Sequence, residues 1–348
     1  MKKLKIGFVG VGFMGQLAHL SNYSILNEEC EIAAIAEPRK GLAEEVARRY
    51  GVKQVFHNHM DLINNCKVDA IVASQHYNNH INIIPDILNA KIPVFTEKPL
   101  CISVETGEKL VKYAEDNKTL HMVGYHKRSD PAVEYAKKLI TEWKTTGEYG
   151  KMRMVRITMP PGDWIGGSPG PISTNEPQPD TKGEGYPDYF DIKTADFYNA
   201  FVNYYIHQVN AMHFLLGEPY KVTFADKSCV LLVVESESGV CGTIEMNTYC
   251  NSIDWQEMFF VGFEKGYINV ELPPPLASQQ AGRVTVMRDN GRDIPTTTQP
   301  HMPRLSAMRN QAKNFLAAVR GERPAPCISK EALCDLGIAK DYTLLLLK

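Results

Sequence analysis

The sequence predicts an α/β protein with two domains: a doubly wound parallel sheet, followed by an α+β domain with a large, mostly antiparallel, open sheet. Short apolar runs alternate with helical patterns as far as residue 124, which is typical of parallel βαβ units. From about residue 151, long strand-like runs instead follow one another across turns. The length of 348 residues also favours two domains over one.

The first domain is expected to span residues 1–124, and its elements alternate throughout. The predicted strands are the β-branched or apolar runs 4–12, 30–37, 68–74, 92–97 and 120–125. The predicted helices have apolar residues at helical spacing and cover 14–26, 41–52, 80–90 and 103–117. The last of them begins like a capped helix, because acidic residues follow Ser103 in the first turns.

The second domain is expected to span residues 125–348. Its predicted strands are 151–159, 220–236, 240–249, 257–272 and 283–289, and its predicted helices are 303–321 and 329–347. Residues 160–189 are so rich in proline and glycine that they exclude a helix or a central strand. A loop of this length in a compact domain is usually functional, or else disordered.

Composition argues against several classes of protein. A net charge of -2 disfavours a nucleic-acid or anionic-membrane surface, and every apolar run is shorter than the roughly 20 residues of a membrane helix. The eight cysteines form no Cys-x-x-Cys pair and lie mostly in apolar segments, which predicts buried thiols in a reducing cytoplasm. The histidines lack ligand spacing, so no metal site is expected.

Gly10, Gly12 and Gly15 follow the first predicted strand and open the first predicted helix. In that context the pattern is a strong dinucleotide-binding fingerprint. The glycines permit a tight turn, approach of a pyrophosphate and close packing of the helix on the sheet. The helix start offers N–H groups to the phosphates, and Phe13 and Met14, between the glycines, are expected cofactor contacts. The alternative is a glycine-rich turn without a ligand.

The second predicted strand ends at Glu37, where a carboxylate can bind the adenosine ribose of NAD. A 2′-phosphate would meet like charge there, although Arg39 and Lys40 could soften the repulsion. NAD is therefore favoured and NADP stays open. Ser74 and Gln75 end the next strand and are further expected contacts, because ligands bind outside the carboxyl ends of strands in such sheets.

A later strand ends on an acid, a base and a proline, Glu97, Lys98 and Pro99. On residue type alone, Glu97 and Lys98 could be a surface ion pair at a strand end. His80 is another candidate cofactor contact, unless it only starts the next helix.

These motifs in this order resemble the Gfo/Idh/MocA family (glucose–fructose oxidoreductase, inositol dehydrogenase, rhizopine catabolism). The resemblance covers nearly the whole chain: residues 124–132 look like the segment that joins the two domains, 262–272 like a turn in the second sheet, and 315–326 like the near-terminal helix. It implies a Rossmann domain with NAD or NADP, and a homodimer or homotetramer formed through the open sheet. It also implies that Lys98 projects over the nicotinamide and the substrate and that Glu97 orients its loop beside the cofactor. A lysine desolvated there would have a lowered pKa and could transfer a proton or hold a substrate hydroxyl.

The resemblance also implies a histidine on a helix of the second domain, with an aspartate four residues before it. His207 matches and is the candidate general acid or base, unless it is a satisfied core histidine. Asn203 replaces the aspartate; on one helix it would face the same pocket, but it cannot accept a proton. Asn210 stands where many relatives carry an acid that binds sugar hydroxyls, a task open to an amide.

Four further residues complete the predicted substrate contacts: Tyr125 and Arg128 in the joining segment, and Asp163 and Trp164 in the 160–189 loop. Aromatic rings suit the C–H faces of a polyol and carboxylates suit its hydroxyls; the alternative is that this loop packs on a neighbouring subunit. The predicted function is NAD(P)-dependent oxidation of a secondary alcohol of a sugar, sugar derivative or cyclitol. An NAD-dependent glycosidase acting by transient oxidation and elimination, and a non-catalytic NAD-binding redox sensor, stay open.

Overall fold

A computed structural model describes residues 3–179 and 181–348. Residue contacts divide the described chain into two compact units. The first unit runs as far as Tyr125 and also contains Pro169–Asn203 and Gln311–Leu336. The second unit is made of the remaining segments, His126–Ser168, Tyr204–Asn310 and Gly337–Lys348. The sequence-based division at residue 124 places everything downstream in one domain, whereas here two downstream segments pack with the first unit.

The strands form two sheets within the described residues. They are β1 (Leu4–Val9), β2 (Cys30–Ala36), β3 (Gln54–Phe56), β4 (Ala70–Ala73), β5 (Val94–Glu97), β6 (His121–Gly124), β7 (Met152–Thr158), β8 (Tyr220–Ala225), β9 (Leu231–Ser236), β10 (Cys241–Glu245), β11 (Glu257–Phe263), β12 (Gly266–Leu272), β13 (Arg283–Arg288) and β14 (Thr296–Thr298). The first sheet has the order β3-β2-β1-β4-β5-β6 and is parallel. The second has the order β14-β13-β12-β11-β7-β10-β9-β8, and only its β7–β10 pair is parallel within the described strands. The predicted fold class is confirmed.

Along the chain, eight helices precede or connect the strands and the last two follow β14, within the described residues. They are α1 (π-helical Gly15–Leu20 continuing as Ser21–Tyr23), α2 (Lys40–Tyr50), α3 (His59–Asn65), α4 (His80–Asn89), α5 (Val104–Asn117), α6 (Pro131–Thr146), α7 (Ile192–Tyr204), α8 (Ile206–Leu216), α9 (Ala307–Val319) and α10 (Ser329–Leu346). In the ranges 3–179 and 181–348, none of the helices combines the length and the apolarity that crossing a membrane requires.

The N-terminal sheet explains why the segment after residue 310 belongs to the first unit. Ala312, Phe315 and Leu316 on α9 have helical i, i+3, i+4 spacing and lie in the same buried cluster as β1 and β5. The ring of Phe315 lies 5.8 Å from that of Phe95 on β5. The amphipathic pattern of α9 predicts its buried face but not which sheet covers that face.

Residues 160–189 form neither helix nor strand at the positions described, as their composition predicts. The segment divides between the two units at Ser168 and Pro169. We call residues 169–179 and 181–189 the strap, because they run along the carboxyl edge of the first sheet. The carbonyl of Ile172 accepts a hydrogen bond from the buried side-chain amide of Gln16 on α1 at 3.0 Å, and the N–H of Ile172 donates to the oxygen of the same amide at 2.9 Å. The carbonyl of Lys182 accepts a bond from Asn82.

Two histidines are buried within the first unit. His80 starts α4, and its Nδ1 is 2.8 Å from the carbonyl of Leu100. His121 starts β6, and its Nε2 is 3.0 Å from the hydroxyl of Thr96. Burial lowers the pKa of His80 to about 4 and that of His121 to about 3. Both histidines are therefore neutral in the folded protein, even at moderately acidic pH.

We expect the free energy of unfolding to fall as the pH drops from about 6.5 towards 4. The unfolded chain binds protons at these histidines near pH 6.5 while the folded chain does not, so stability is full above that pH and is lost below it. Each histidine contributes up to about 1.4 kcal/mol per pH unit. Urea unfolding across this range measures the slope.

The matched variant is His121→Gln, which removes one titrating group. Its slope should be shallower than that of the unchanged protein, and equal slopes would contradict the prediction. The comparison between the two proteins is needed because burial raises the pKa of Asp130 to about 6. Asp130 thus favours the folded state at acidic pH and offsets part of the histidine effect in both proteins.

Candidate functional site in the first unit and a polar cluster in the second

The turn after β1 is built by glycine. Gly10 has a φ of +84°, which side chains rarely tolerate. A Cβ on Gly15 would lie 2.6 Å from the carbonyl oxygen of Gly10 and 2.8 Å from the hydroxyl of Ser74. That hydroxyl donates to the same carbonyl at 2.7 Å, which fixes the end of β4 against the turn. Gly12 is less crowded, since its Cβ would lie 3.4 Å from the Arg39 guanidinium.

Because β1, β2, β4 and β5 are parallel neighbours, their carboxyl ends meet at one edge. The side chains predicted to hold the cofactor lie there, within the first unit. Gln75 has a buried amide whose nitrogen and oxygen both lack a hydrogen-bond partner in the described chain, and Phe13, beside Met14, keeps 42% of its surface exposed. An unsatisfied buried amide beside a glycine turn fits a dinucleotide.

Glu37 is buried at the end of β2, and both of its carboxylate oxygens accept hydrogen bonds within the first unit. Its carboxylate accepts the N–H of Val11 at 3.1 Å. Both Nε and Nη2 of Arg39 donate to it, at 2.6 and 3.1 Å. Glu37 thus joins the glycine turn to the end of β2. Arg39, two residues further on, forms a bidentate ion pair with Glu37. Glu37 and Arg39, which the sequence predicts to contact the cofactor, lie together here.

The end of β5 is ordered by a histidine from α1. Nε2 of His19 lies 2.7 Å from one oxygen of Glu97, and the other oxygen accepts the N–H of Lys98 at 3.3 Å. His19 and Glu97 are both buried. The Lys98–Pro99 peptide is cis. The Lys98 ammonium donates to the carbonyl of Asn203 at 2.5 Å, so Asn203 reaches the lysine through its backbone.

The helix predicted to carry Asn203 and His207 together is interrupted. The first part, α7, ends at Tyr204, and α8 begins at Ile206. The expectation that an i, i+4 relation orients both side chains is therefore wrong, because that relation requires a continuous helix. Asn203 is exposed at the end of α7, whereas His207 is partly buried in the first turn of α8. His80 starts α4, as the alternative for it proposes, and is wholly buried.

His207 belongs to a polar cluster of the second unit that the sequence reasoning missed. The ring of His126 lies 4.6 Å from that of His207, nearly perpendicular to it. The next residue, Lys127, has its ammonium 2.5 Å from both carboxylate oxygens of Glu257. Gln208 donates to that carboxylate at 2.8 Å. The sequence does hold one sign of this cluster: Glu257 is an acid at an inward-facing position of a predicted strand, and a buried acid needs a partner.

Burial lowers the pKa of Lys127 below its ordinary value, and Glu257 opposes this shift. Buried ion pairs are costly to assemble and costlier to break, because removing one partner leaves an uncompensated charge. The pair therefore fixes the 3₁₀ turn His126–Ser129 against β11. His126 is positioned by this turn, and with it one side of the His207 ring.

The remaining predicted substrate contacts are held by neighbours. Arg128 donates from Nε to Oδ1 of Asn210 at 2.7 Å, and both are buried. The carboxylate of Asp163 accepts the N–H groups of its own turn, from Ile165 and Gly166. Trp164, next in the chain, accepts the N–H of Leu276 through its carbonyl.

Tyr125 is buried in the first unit, whereas the other predicted substrate contacts just described lie in the second unit: Arg128, Asp163, Trp164 and Asn210. Across residues 3–179 and 181–348, histidine, cysteine and acidic side chains do not group into a cluster of three or more that could bind a metal ion.

Comparison with known proteins agrees with this geometry. Residues 4–125 match the GFO_IDH_MocA family model, described as an oxidoreductase family with an NAD-binding Rossmann fold. The chain is 24% identical over 357 residues to the inositol 2-dehydrogenase of Rhizobium meliloti, covering 97% of this chain and 94% of that protein. It is 23% identical over 242 residues to the myo-inositol 2-dehydrogenase of Thermotoga maritima, covering 70% of this chain and 63% of that protein, which is less than two thirds of its length.

Solved structures share the fold over almost the whole chain. One is an oxidoreductase from Agrobacterium radiobacter in complex with NAD+, L-tartaric acid and magnesium. It has a TM-score of 0.71 at 13% identity and covers 100% of this chain and 97% of that one. The family match and the shared fold thus agree on the part of the chain that carries the glycine turn, Glu37 and the Glu97–Lys98–Pro99 strand end. Residues 4–125 are thus similar to the Gfo/Idh/MocA family of oxidoreductases, whose model describes an NAD-binding Rossmann fold.

Proposed function

We propose that this protein is an NAD(P)-dependent dehydrogenase that oxidises a secondary alcohol of a sugar, sugar derivative or cyclitol, with NAD favoured. The observation that carries the proposal is the position of Lys98. It directly follows β5, on the same sheet edge as the glycine turn, and the buried His19–Glu97 pair holds the backbone that presents it. The inositol dehydrogenases among the relatives support a polyol as the substrate class.

The first unit supplies the residues for binding the dinucleotide. In our proposal the turn at Gly10, Gly12 and Gly15 receives the pyrophosphate, Glu37 binds the adenosine ribose, and Ser74 and Gln75 line the edge towards the nicotinamide. When bound, the nicotinamide supplies the site that accepts hydride from the alcohol carbon. His80, although buried, stays a predicted cofactor contact.

Proton handling is assigned to two groups. Lys98 holds the substrate hydroxyl and stabilises the oxygen as the carbonyl forms, because an ammonium is a strong charge-assisted donor. His207 is the proposed general acid or base, since imidazole titrates near neutrality. Asn203 offers its backbone carbonyl to Lys98, and its side-chain amide cannot accept a proton as the aspartate of the resembled family would. Tyr125, Arg128, Asp163, Trp164 and Asn210 stay proposed substrate contacts.

The proposed function is tested by screening polyols, inositols and sugars with NAD+ and with NADP+, following the absorbance of the reduced nicotinamide. Reduction by at least one of these alcohols is the expected result. Cleavage of a glycoside without net formation of NADH would instead indicate a glycosidase that oxidises transiently and eliminates. Tight NAD+ binding without turnover of any compound in either class would indicate a redox sensor.

We also propose that the protein is cytoplasmic and forms a homodimer or homotetramer through the second sheet. All eight cysteines are free thiols, which supports a reducing compartment. The prediction that they are buried holds for Cys30, Cys66, Cys101 and Cys327 but is wrong for Cys241, Cys250 and Cys334, which are exposed. Sedimentation equilibrium measures the oligomeric state, and a monomer at micromolar concentration would contradict the assembly proposed.

Gly15→Ala should abolish measurable NADH binding. Its Cβ would meet the Gly10 carbonyl at 2.6 Å, a contact that forces helix and turn apart. Titration of protein fluorescence with NADH measures the affinity. The matched control is Gly185→Ala, since a Cβ at Gly185 meets nothing within 4 Å. If Gly15→Ala bound NADH as tightly as the control, the glycine turn would not be the phosphate site.

Lys98→Met should lower kcat by a factor of about 10² to 10⁴, the range of a positioned proton-transfer group, and leave NADH affinity within a few-fold. The side chain is replaced by one of similar length without charge, so the loss falls on the chemical step. Lys109→Met, at an exposed position of α5, is the control. A kcat close to that of the unchanged protein would remove Lys98 from the mechanism.

His207→Gln should lower kcat and also remove the acidic limb of its pH profile, which a merely structural histidine would not shape. The control is His213→Gln, on the same helix and likewise partly buried. Steady-state rates from pH 5 to 9 with the best substrate provide the measurement. An unchanged profile in His207→Gln, with kcat reduced or not, would exclude its role as acid or base.

A further inference from the structure

The start of α2 is capped by a side chain that is distant in sequence. Gly41 and Leu42 lie in its first turn, where N–H groups lack partners within the helix. Both donate to the carboxylate of Glu176 in the strap, at 3.1 and 2.9 Å. The residue at the N-cap position, Arg39, forms no side-chain cap to this helix in the described structure. Glu176 therefore takes the place of a local cap.

Glu176 is held as an anion in this position. The two backbone N–H groups lower its pKa, and the Arg39 guanidinium lowers it further. The hydroxyl of Thr174, two residues earlier in the strap, also donates to it at 3.1 Å. The carboxylate thus stays charged throughout the neutral range, bound to the positive end of the helix dipole.

This corner is where a dinucleotide-binding fold distinguishes NAD from NADP. The groups that accommodate a 2′-phosphate are an arginine close to the acid that binds the ribose and N–H groups at a helix start. Here Arg39 is paired bidentately with Glu37, and the N–H groups of α2 are bound to Glu176. Both anion-binding elements are already occupied by carboxylates of the chain itself.

The charge of the corner adds to this effect. Glu37 and Glu176 contribute two negative charges and Arg39 one positive charge; Lys40, the remaining cation of the segment, is exposed to solvent. A 2′-phosphate would bring further negative charge and would have to displace a carboxylate from N–H groups that hold it. An adenosine 2′-hydroxyl requires neither.

We propose that Glu176 is a specificity-determining residue: by occupying the start of α2, the strap excludes a 2′-phosphate and makes the protein select NAD over NADP. The proposal rests on the nicotinamide cofactor of the proposed function and extends it to a residue outside the nucleotide-binding sequence motif. Glu37 alone disfavours the phosphate, but Arg39 beside it could pair with a 2′-phosphate instead. Glu176 opposes that pairing, because its carboxylate adds negative charge and occupies the N–H groups at the start of α2.

The strap provides its own control. Glu184 caps another segment in the same manner: its carboxylate accepts the N–H groups of Ile102 and Ser103, which precede α5, at 2.8 and 2.9 Å. Glu184→Gln thus loosens the strap by the same chemistry at a point that follows β5 rather than β2. A general effect of strap detachment would appear in both variants, whereas a local effect of the carboxylate would appear only at Glu176.

The experiment measures equilibrium dissociation constants of NAD+ and NADP+ by titration calorimetry for the unchanged protein, Glu176→Gln, Glu176→Ala and Glu184→Gln. The unchanged protein should bind NAD+ more tightly. The ratio Kd(NADP+)/Kd(NAD+) should fall about tenfold or more in Glu176→Ala, the size of one charge-assisted interaction. Glu176→Gln should show a smaller fall, because the amide oxygen still accepts one N–H. Glu184→Gln should keep the ratio of the unchanged protein.

Several results would overturn the inference: preference of the unchanged protein for NADP+, an unaltered ratio in Glu176→Ala, or an equal fall in Glu184→Gln. Thermal unfolding of each variant verifies that it is folded at the titration temperature. Because the readout is binding, it is separate from the proposed activity. Altered selectivity in a protein that oxidises no polyol would uphold the role of Glu176 and refute the dehydrogenase.

Discussion

The cofactor end of the first unit depends on how closely α1 approaches the turn that follows β1. Only a residue without a side chain can stand at Gly15, because the carbonyl of Gly10 occupies the space of a Cβ. With the helix start fixed there, Gln16 reaches the strap and His19 reaches Glu97. One close contact between helix and turn thus sets the glycine turn, the strap and the strand end that presents the candidate catalytic lysine.

The second unit solves a similar problem with charge instead of close packing. Its 3₁₀ turn His126–Ser129 presents consecutive polar side chains to a buried environment, which costs free energy unless each finds a partner. Lys127 meets Glu257 and Arg128 meets Asn210. These partners fix the turn, and the turn places His126 against His207. The ring of His207 is thereby oriented, on one side, by the turn beside it.

The sequence predicts what depends on local pattern and fails where distant segments meet. The glycine spacing, Glu37 and the alternation of strands and helices are local, and the structure has them. The break at Tyr205 has no proline or glycine to announce it. Residues 220–236 read as one strand but form two, β8 and β9, since the turn at Asp226–Cys229 is built by hydrogen bonds rather than by glycine or proline. Lys127–Glu257 joins residues 130 positions apart.

The acids of the strap have a role that the composition of the segment does not predict. Glu176 and Glu184 each bind two backbone N–H groups next to a helix start. A strap rich in proline and glycine has no strand ladder to hold it, and helix starts have N–H groups that need acceptors. Each need satisfies the other, so the strap takes a defined path along the cofactor edge. Side-chain caps of this kind can thus hold in place a segment that has neither helix nor strand.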